Sequence, residues 1–336
     1  MGRRRPSADG PSGVLLVDKP AGISSAAVVA RVRRVLDGVK AGHTGTLDPF
    51  ATGLLPLCLG EATKLAGYLT DNDKTYEGVI RLGVTTDTLD RTGTVTGTAP
   101  VPPLEPEAIA ALAREFEGDI LQVPPSYSAI KRDGRPMYEL ARRGEAPELE
   151  ARPVHVARLE LGILDEKRLS VSIDSSKGFY VRSLAQDLGS RLGCGAMLEA
   201  LRRTRVGRLR LDDAIPLADL EKEGGEALAR SALLSLDEAL GHLRCVELAT
   251  AEAAALRLGR QAPLMRISPG QPGETIRLSV AGELVAVALF ENSLWGLERV
   301  FASPTVSAPC PPEKFMLPAS LSPMEEEERN EANRRD

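Results

Sequence analysis

From residue 13 onward, hydrophobic positions fall into short blocks of two different periods. GVLLVDKP (13–20) is an unbroken apolar run closed by Pro20 and predicts a short buried strand. Ser24 or Ser25 then caps a predicted helix whose apolar positions Val28, Val29, Val32, Val35 and Leu36 keep helical spacing up to Gly38. KAGHTGTLDPFATG (40–53) has no period and reads as a glycine-rich loop. EATKLAGYL (61–69) predicts a helix. KTYEGVIRLG (74–83) predicts a strand with Tyr76, Gly78, Ile80 and Leu82 on one face.

After the turn-rich TTDTLDRTGTVTG and the proline-rich APVPPLEP (99–106), EAIAALAREFEG predicts an amphipathic helix closed by Gly118. Strand patterns return at 154–164 and 168–175, followed by a helix over 181–192. Beyond 245 come a helix in TAEAAALRLGR and strands in IRLSVAGELVAVALFEN and WGLERVF. Strand clusters with interspersed helices predict an α+β fold with a mixed, mostly antiparallel sheet, and argue against a doubly wound Rossmann sheet. The expected divisions are a disordered basic arm (1–12), a main domain (13–240), a small β-rich domain (245–301) and a disordered acidic tail (302–336).

The length of 336 residues exceeds what one core usually serves. With 43% hydrophobic and 26% charged residues, collagen, coiled coil and global disorder are excluded. No stretch reaches the ~18–20 apolar residues of a membrane span, and Arg3–Arg5 precede Pro and Ser rather than an apolar signal core, so a soluble, cytoplasmic protein with no membrane partner is expected. Cys58, Cys194, Cys245 and Cys310 are widely separated, which fits incidental thiols rather than a zinc or disulfide framework.

The net charge of −5 argues against a nucleic-acid partner until its distribution is considered. The tail carries seven acids against four bases, whereas residues 177–210 carry eight bases against two acids. That basic stretch is either an anion-binding groove or a surface whose neighbours supply the acids.

No phosphate-loop, HExxH, GxSxG or deaminase motif is present, which leaves carboxylate, arginine and tyrosine chemistry. Asp48 stands out: it lies in a loop bracketed by Gly42, Gly45 and Gly53, before Pro49, which biases it toward an extended conformation. A working carboxylate needs a nearby cation, and Arg182 in SKGFYVRSL is the candidate. Tyr180 lies two residues before it and faces the same side if that segment is extended. Tyr76 is either a core residue or a flat surface for a flipped base, and His43 is either incidental or a donor to ribose or phosphate.

Six segments in this order, GVLLVDKPAGISS, AGHTGTLDPFATGLLPLCLGEATK, DKTYEGVIRLG, VPPSYSAIKRDGRPMYELARRGE, SKGFYVRSLAQDLG and GCGAMLEALRRTRVG, resemble the bacterial TruB family of tRNA pseudouridine synthases over residues 13–210. The resemblance implies a pseudouridine synthase fold with a central cleft, and a C-terminal domain similar to the PUA type of RNA-binding domain. It implies isomerisation of uridine 55 in the T-loop of tRNA, without a cofactor or obligatory protein partner; a monomer is expected because the sequence shows no long apolar seam.

By the same resemblance Asp48 is the catalytic carboxylate, Tyr76 packs on the target base and Arg182 partners Asp48. His43, Tyr180 and Leu201 are then substrate contacts. The basic side chains assigned to the RNA backbone are Lys64, Lys131, Arg132, Arg142, Arg143, Arg202, Arg203 and Arg205. Phe179 departs from the small residue associated with its position in SKGxYxR. Two other readings stand beside this one: a tRNA-binding folding chaperone without essential catalysis, and a carboxylate hydrolase pairing Asp48 with Asp87 or Asp90. The turn composition of TTDTLDRTG weighs against the hydrolase.

Overall fold

The computed structural model describes residues 10–127, 131–132, 135–136 and 149–302. Arg142, Arg143, Cys310 and the expected tail beyond 302 lie outside the described residues. Of the expected arm, residues 10–12 are described, and there the Ser12 hydroxyl already accepts from the Glu61 N–H at 3.0 Å.

β1 (Gly13–Lys19) is buried on both faces, and α1 (Ser25–Val35) follows with Ser24 as its cap, accepting from the Ala27 N–H. The glycine-rich stretch read as a loop in fact contains a short strand, β2 (Ala41–His43). β3 (Thr52–Leu59) is a buried strand that the apolar pattern does not predict. Pro56 sits inside it, and proline ordinarily argues against an interior strand. It is tolerated because β3 meets a second neighbour only at either side of it, at Thr52–Gly53 and again at Leu57–Leu59, so no ladder bond needs an N–H from residue 56.

The segment 60–70 is a 3₁₀ turn (Gly60–Leu65) continued by α2 (Ala66–Thr70) rather than one helix. β4 (Lys74–Leu82) and the hairpin of β5 (Val84–Thr86) and β6 (Val95–Thr98) follow. α3 (Pro106–Arg114) stops before Gly118, which opens β7 (Gly118–Gln122) instead of closing the helix. β8 (Lys131–Arg132) pairs with β9 (Arg135–Pro136) in a short ribbon. β10 (Arg152–Asp165) and β11 (Arg168–Ser175) precede α4 (Val181–Arg191). β12 (Ala196–Val206), β13 (Leu209–Arg210) and β14 (Ile215–Pro216) complete the main sheet.

The ten-stranded sheet runs β14-β1-β3-β12-β4-β11-β10-β7, with β2 on β3 and β13 on β12. Only β1–β14 and β12–β3 are parallel among its pairings, so the sheet is mixed and mostly antiparallel. β12 and β4 lie at its centre, and in their register Arg203 faces Tyr76. One core cluster gathers Val28, Val32, Leu55, Leu57, Ile80 and Leu184.

The C-terminal sheet has the order β15 (Arg244–Glu247), β16 (Thr275–Val280), β17 (Glu283–Glu291) and β18 (Leu294–Val300). The strand run predicted over 276–292 is therefore two strands, divided by a turn at Ala281 and Gly282, both at positive φ as a tight two-residue hairpin demands. This β-rich domain is docked on the main sheet: Leu284, Val287 and Phe301 share a core cluster with Val14, Leu16 and Leu54. No helix among the described residues is long and apolar enough to cross a membrane.

Candidate active site

Asp48 lies in the turn between β2 and β3, and buried polar side chains hold that turn from both sides. The hydroxyl of Ser25, 2% exposed at the start of α1, donates to the Leu47 carbonyl at 3.0 Å and accepts the Leu47 N–H at 2.8 Å. Lys19, fully buried at the end of β1, donates to the carbonyls of Pro20, Pro49 and Ala51 at 2.9, 3.2 and 2.6 Å. Burial pulls its pKa down to about 8, with the nearby Asp48 charge opposing and Arg203 assisting. At Gly53, φ is +101° and a side chain would meet the Arg203 carbonyl at 2.3 Å, so glycine lets β3 lie against β12 directly behind the turn.

The Asp48 carboxylate takes a two-pronged contact from Arg182, Nε to Oδ2 at 2.9 Å and Nη2 to Oδ1 at 3.2 Å. Arg182 is itself buried. Its remaining N–H groups reach the carbonyls of Thr88 at 3.0 Å and Tyr127 at 2.8 Å, and Asp90 Oδ2 lies 3.8 Å from Nη1. Every nitrogen of the guanidinium therefore has an assigned direction. Burial pushes the Asp48 pKa above its ordinary value; Arg182 opposes this, Asp90 reinforces it, and Lys19 opposes it more weakly. The paired bonds from Arg182 favour the charged carboxylate.

A cavity of about 350 Å³ opens over Asp48, within the usual range for ligand sites. Tyr76, Tyr180, Arg182 and Leu201 line it together with Asp48, as do Phe179 and Lys74. Tyr180 and Arg182 do not reach it as two residues of one extended segment: Tyr180 is extended, the helix begins at Val181 as predicted, and Arg182 projects from the first turn of α4. Phe179 is buried in the core beside the cavity. His43 is in β2, does not line the cavity, and its Nδ1 accepts the Gly45 N–H at 3.4 Å; burial pushes its pKa down.

The basic residues separate into distinct environments. Arg203 is not available to an RNA phosphate: it is 1% exposed, and its guanidinium donates to the Leu54 carbonyl at 2.8 Å and the Gly45 carbonyl at 3.1 Å. Arg202 pairs with Asp18 and Arg205 with Asp174, both at 2.8 Å, while each remains partly exposed. Lys64 bridges to Glu61 at 2.5 Å and lies 5.7 Å from the Phe301 ring centre. Lys177 pairs with Asp71 at 2.8 Å. The cluster at 177–210 is thus distributed along a strand, a loop and a helix, with acids from neighbouring elements. Lys131 and Arg132 lie in the short ribbon.

Sequence reasoning missed Lys19, Ser25 and the part played by Asp90, and it gave Arg203 to the RNA backbone where the structure buries it behind the Asp48 turn. Asp90 does form the expected turn, accepting the Thr92 N–H at 2.9 Å, but it is also buried against Arg182. A hydrolytic carboxylate pair finds no support in that geometry, because Asp90 Oδ1 is taken by Thr88 and Thr92.

Two family models match consecutive parts of the chain. TruB family pseudouridylate synthase (N terminal domain) matches residues 33–181, and tRNA pseudouridylate synthase B C-terminal domain matches residues 182–241. The chain belongs to the TruB family. A TruB relative, tRNA pseudouridine synthase B of Stutzerimonas stutzeri (strain A1501), is 50% identical over 240 residues, covering 70% of this chain and 78% of its own. The protein of the same name from Azoarcus sp. (strain BH72) is 45% identical over 294 residues, covering 87% and 96%. A chain in the crystal structure of a Cbf5–Nop10–Gar1 complex is similar in fold, with a TM-score of 0.67 and 27% identity over 87% of this chain and 85% of that one. Membership of TruB agrees with the α+β architecture.

Proposed function

We propose that this protein isomerises uridine 55 in the T-loop of tRNA to pseudouridine. The observation that carries the reading is the Asp48 carboxylate, held by Arg182 at the floor of a nucleoside-sized cavity in a TruB chain. The reaction breaks the N1–C1′ bond, turns the uracil and forms C5–C1′; one proton leaves C5 and N1 regains one, so no oxidant or energy source is consumed. Asp48 acts at the ribose, either by attack on C1′ or by taking a proton toward a glycal. Arg182 keeps it ionised and aimed.

The Tyr76 ring offers a surface for the base once it has left the stack, and unstacking costs a few kcal/mol as an order of magnitude. Tyr180 and Leu201 contact the flipped nucleoside, and His43 contacts the RNA near the turn. Binding to the T-arm offsets the cost of flipping through phosphate contacts from Arg202, Arg205, Lys131, Arg132, Arg142 and Arg143, with Lys64 nearer the C-terminal domain. Residues 13–240 form the catalytic part and residues 245–301 a PUA-like RNA-binding part; the enzyme works as a cytoplasmic monomer.

Nucleoside analysis of a digested T-arm stem-loop tests this. Incubation with the protein is expected to convert one uridine to its isomer at unchanged mass. A stem-loop that binds and is returned unaltered would contradict the reading.

A further inference from the structure

The end of strand β7, at the edge of the main sheet, and the residue after it show an inverted pattern. Leu121 is 73% exposed and Val123 53%, while the polar Gln122 between them is 2% exposed. A primary amide buried in this way must find partners for its donor and its acceptor. Gln122 finds both on one residue: Nε2 donates to the Tyr180 carbonyl at 3.1 Å, and Oε1 accepts the Tyr180 N–H at 2.8 Å. The side chain thereby gives the Tyr180 peptide the two-bond pairing that a neighbouring strand gives elsewhere in a sheet.

Tyr180 is the N-cap of α4, and its side chain makes no capping bond. Where its backbone sits fixes where the first turn of α4 begins, and Arg182 projects from that turn. The segment just after β7 grips the same turn twice more. The Ser183 hydroxyl donates to the Val123 carbonyl at 2.7 Å, and Arg182 Nη2 donates to the Tyr127 carbonyl at 2.8 Å. Residues 122–127 and the first turn of α4 therefore form one hydrogen-bonded unit, and its innermost contact is the pair of Arg182 with Asp48.

We infer that Gln122 is a positioning residue for the isomerisation, clamping the Tyr180 peptide so that Arg182 presents its fork to Asp48 in the working geometry. The inference rests on the isomerase reading. Gln122 touches neither the cavity nor the reacting atoms, so its loss acts through the first turn of α4 rather than by removing a contact to the RNA. Two replacements separate this from simple packing. Gln122→Leu keeps bulk and removes both polar functions. Gln122→Glu keeps an acceptor and regains a donor only when the carboxyl is protonated.

The test measures single-turnover tritium release from a T-arm stem-loop carrying [5-³H]uridine, with enzyme in excess, across a pH series. Stem-loop Kd and Tm are recorded for the same samples. At neutral pH both variants are expected to lose about 10–100-fold in rate, with Kd within about twofold of wild type. Relative to wild type, Gln122→Glu then regains rate as pH falls, and Gln122→Leu does not. Wild-type rates in both variants would overturn the inference. So would losses that follow Kd or Tm with no difference in pH dependence between the two. Failure of the wild type to release tritium contradicts the isomerase reading itself, and is distinguishable because the wild type is measured alongside.

Discussion

Asp90 reaches Arg182 through a different nitrogen from those that hold Asp48: its Oδ2 lies 3.8 Å from Nη1, while Nε and Nη2 face Asp48. One guanidinium thus stands between two acids of unequal role. Asp90 orients the arginine and at the same time pushes the Asp48 pKa up. Asp90→Asn is expected to reduce turnover, and to move the acid limb of the pH–rate profile to lower pH because a negative charge beside Asp48 has gone. A limb that moved to higher pH in this variant would contradict the assignment.

Arg182 has its nitrogens committed to two carboxylates and two carbonyls in fixed directions. Lysine supplies the charge but not the fork. Arg182→Lys is expected to lose about 100-fold in rate while still folding, measured as single-turnover rate against Tm. A variant with near wild-type rate would show that the charge alone suffices.

Lys19 and Lys74 are both held near a pKa of about 8 by burial, well below the ordinary 10.5. Between these values the unfolded chain binds more protons than the folded one, so these two groups make the protein more stable as pH rises from 8 toward 10.5. Turnover has the opposite trend in that window, since neutral Lys19 has two donors for three carbonyls, two of which, Pro49 and Ala51, belong to the turn around Asp48. Denaturant titrations at pH 7.5 and 9.5, run beside rate measurements, check both signs. The expected contribution of Lys19→Met is to remove its share of the pH dependence.

Gly53→Ala places a Cβ 2.3 Å from the Arg203 carbonyl at a φ of +101°. Strain and displacement of β3 from β12 together are expected to cost at least about 2 kcal/mol, read as a lower unfolding midpoint. The turn carrying Asp48 moves with β3, so the rate falls as well.

An unbroken apolar run made β1 legible, and periodicity did so for α1, β4, β11 and α4, whose apolar positions follow one period for seven residues or more. β3 and β12 were not, for physical reasons. Pro56 hides the first, and arginines hide the second: Arg202, Arg203 and Arg205 belong to a central strand only because Asp18, two backbone carbonyls and Asp174 receive them. At the site, Asp48 and Arg182 were readable as an acid in a glycine-rich loop and a cation near a tyrosine. Lys19, Ser25 and Gln122 were not, since each is polar and buried, and only the fold brings up the backbone groups that make such burial tolerable.

In the proposed reaction Asp48 performs chemistry on a flipped uridine. Tritium release from a T-arm stem-loop carrying [5-³H]uridine, comparing wild type with Asp48→Asn at equal salt, tests it most directly. Release is expected from the wild type and not from Asp48→Asn, with both binding the stem-loop. Release by both proteins, or by neither despite binding, would contradict it.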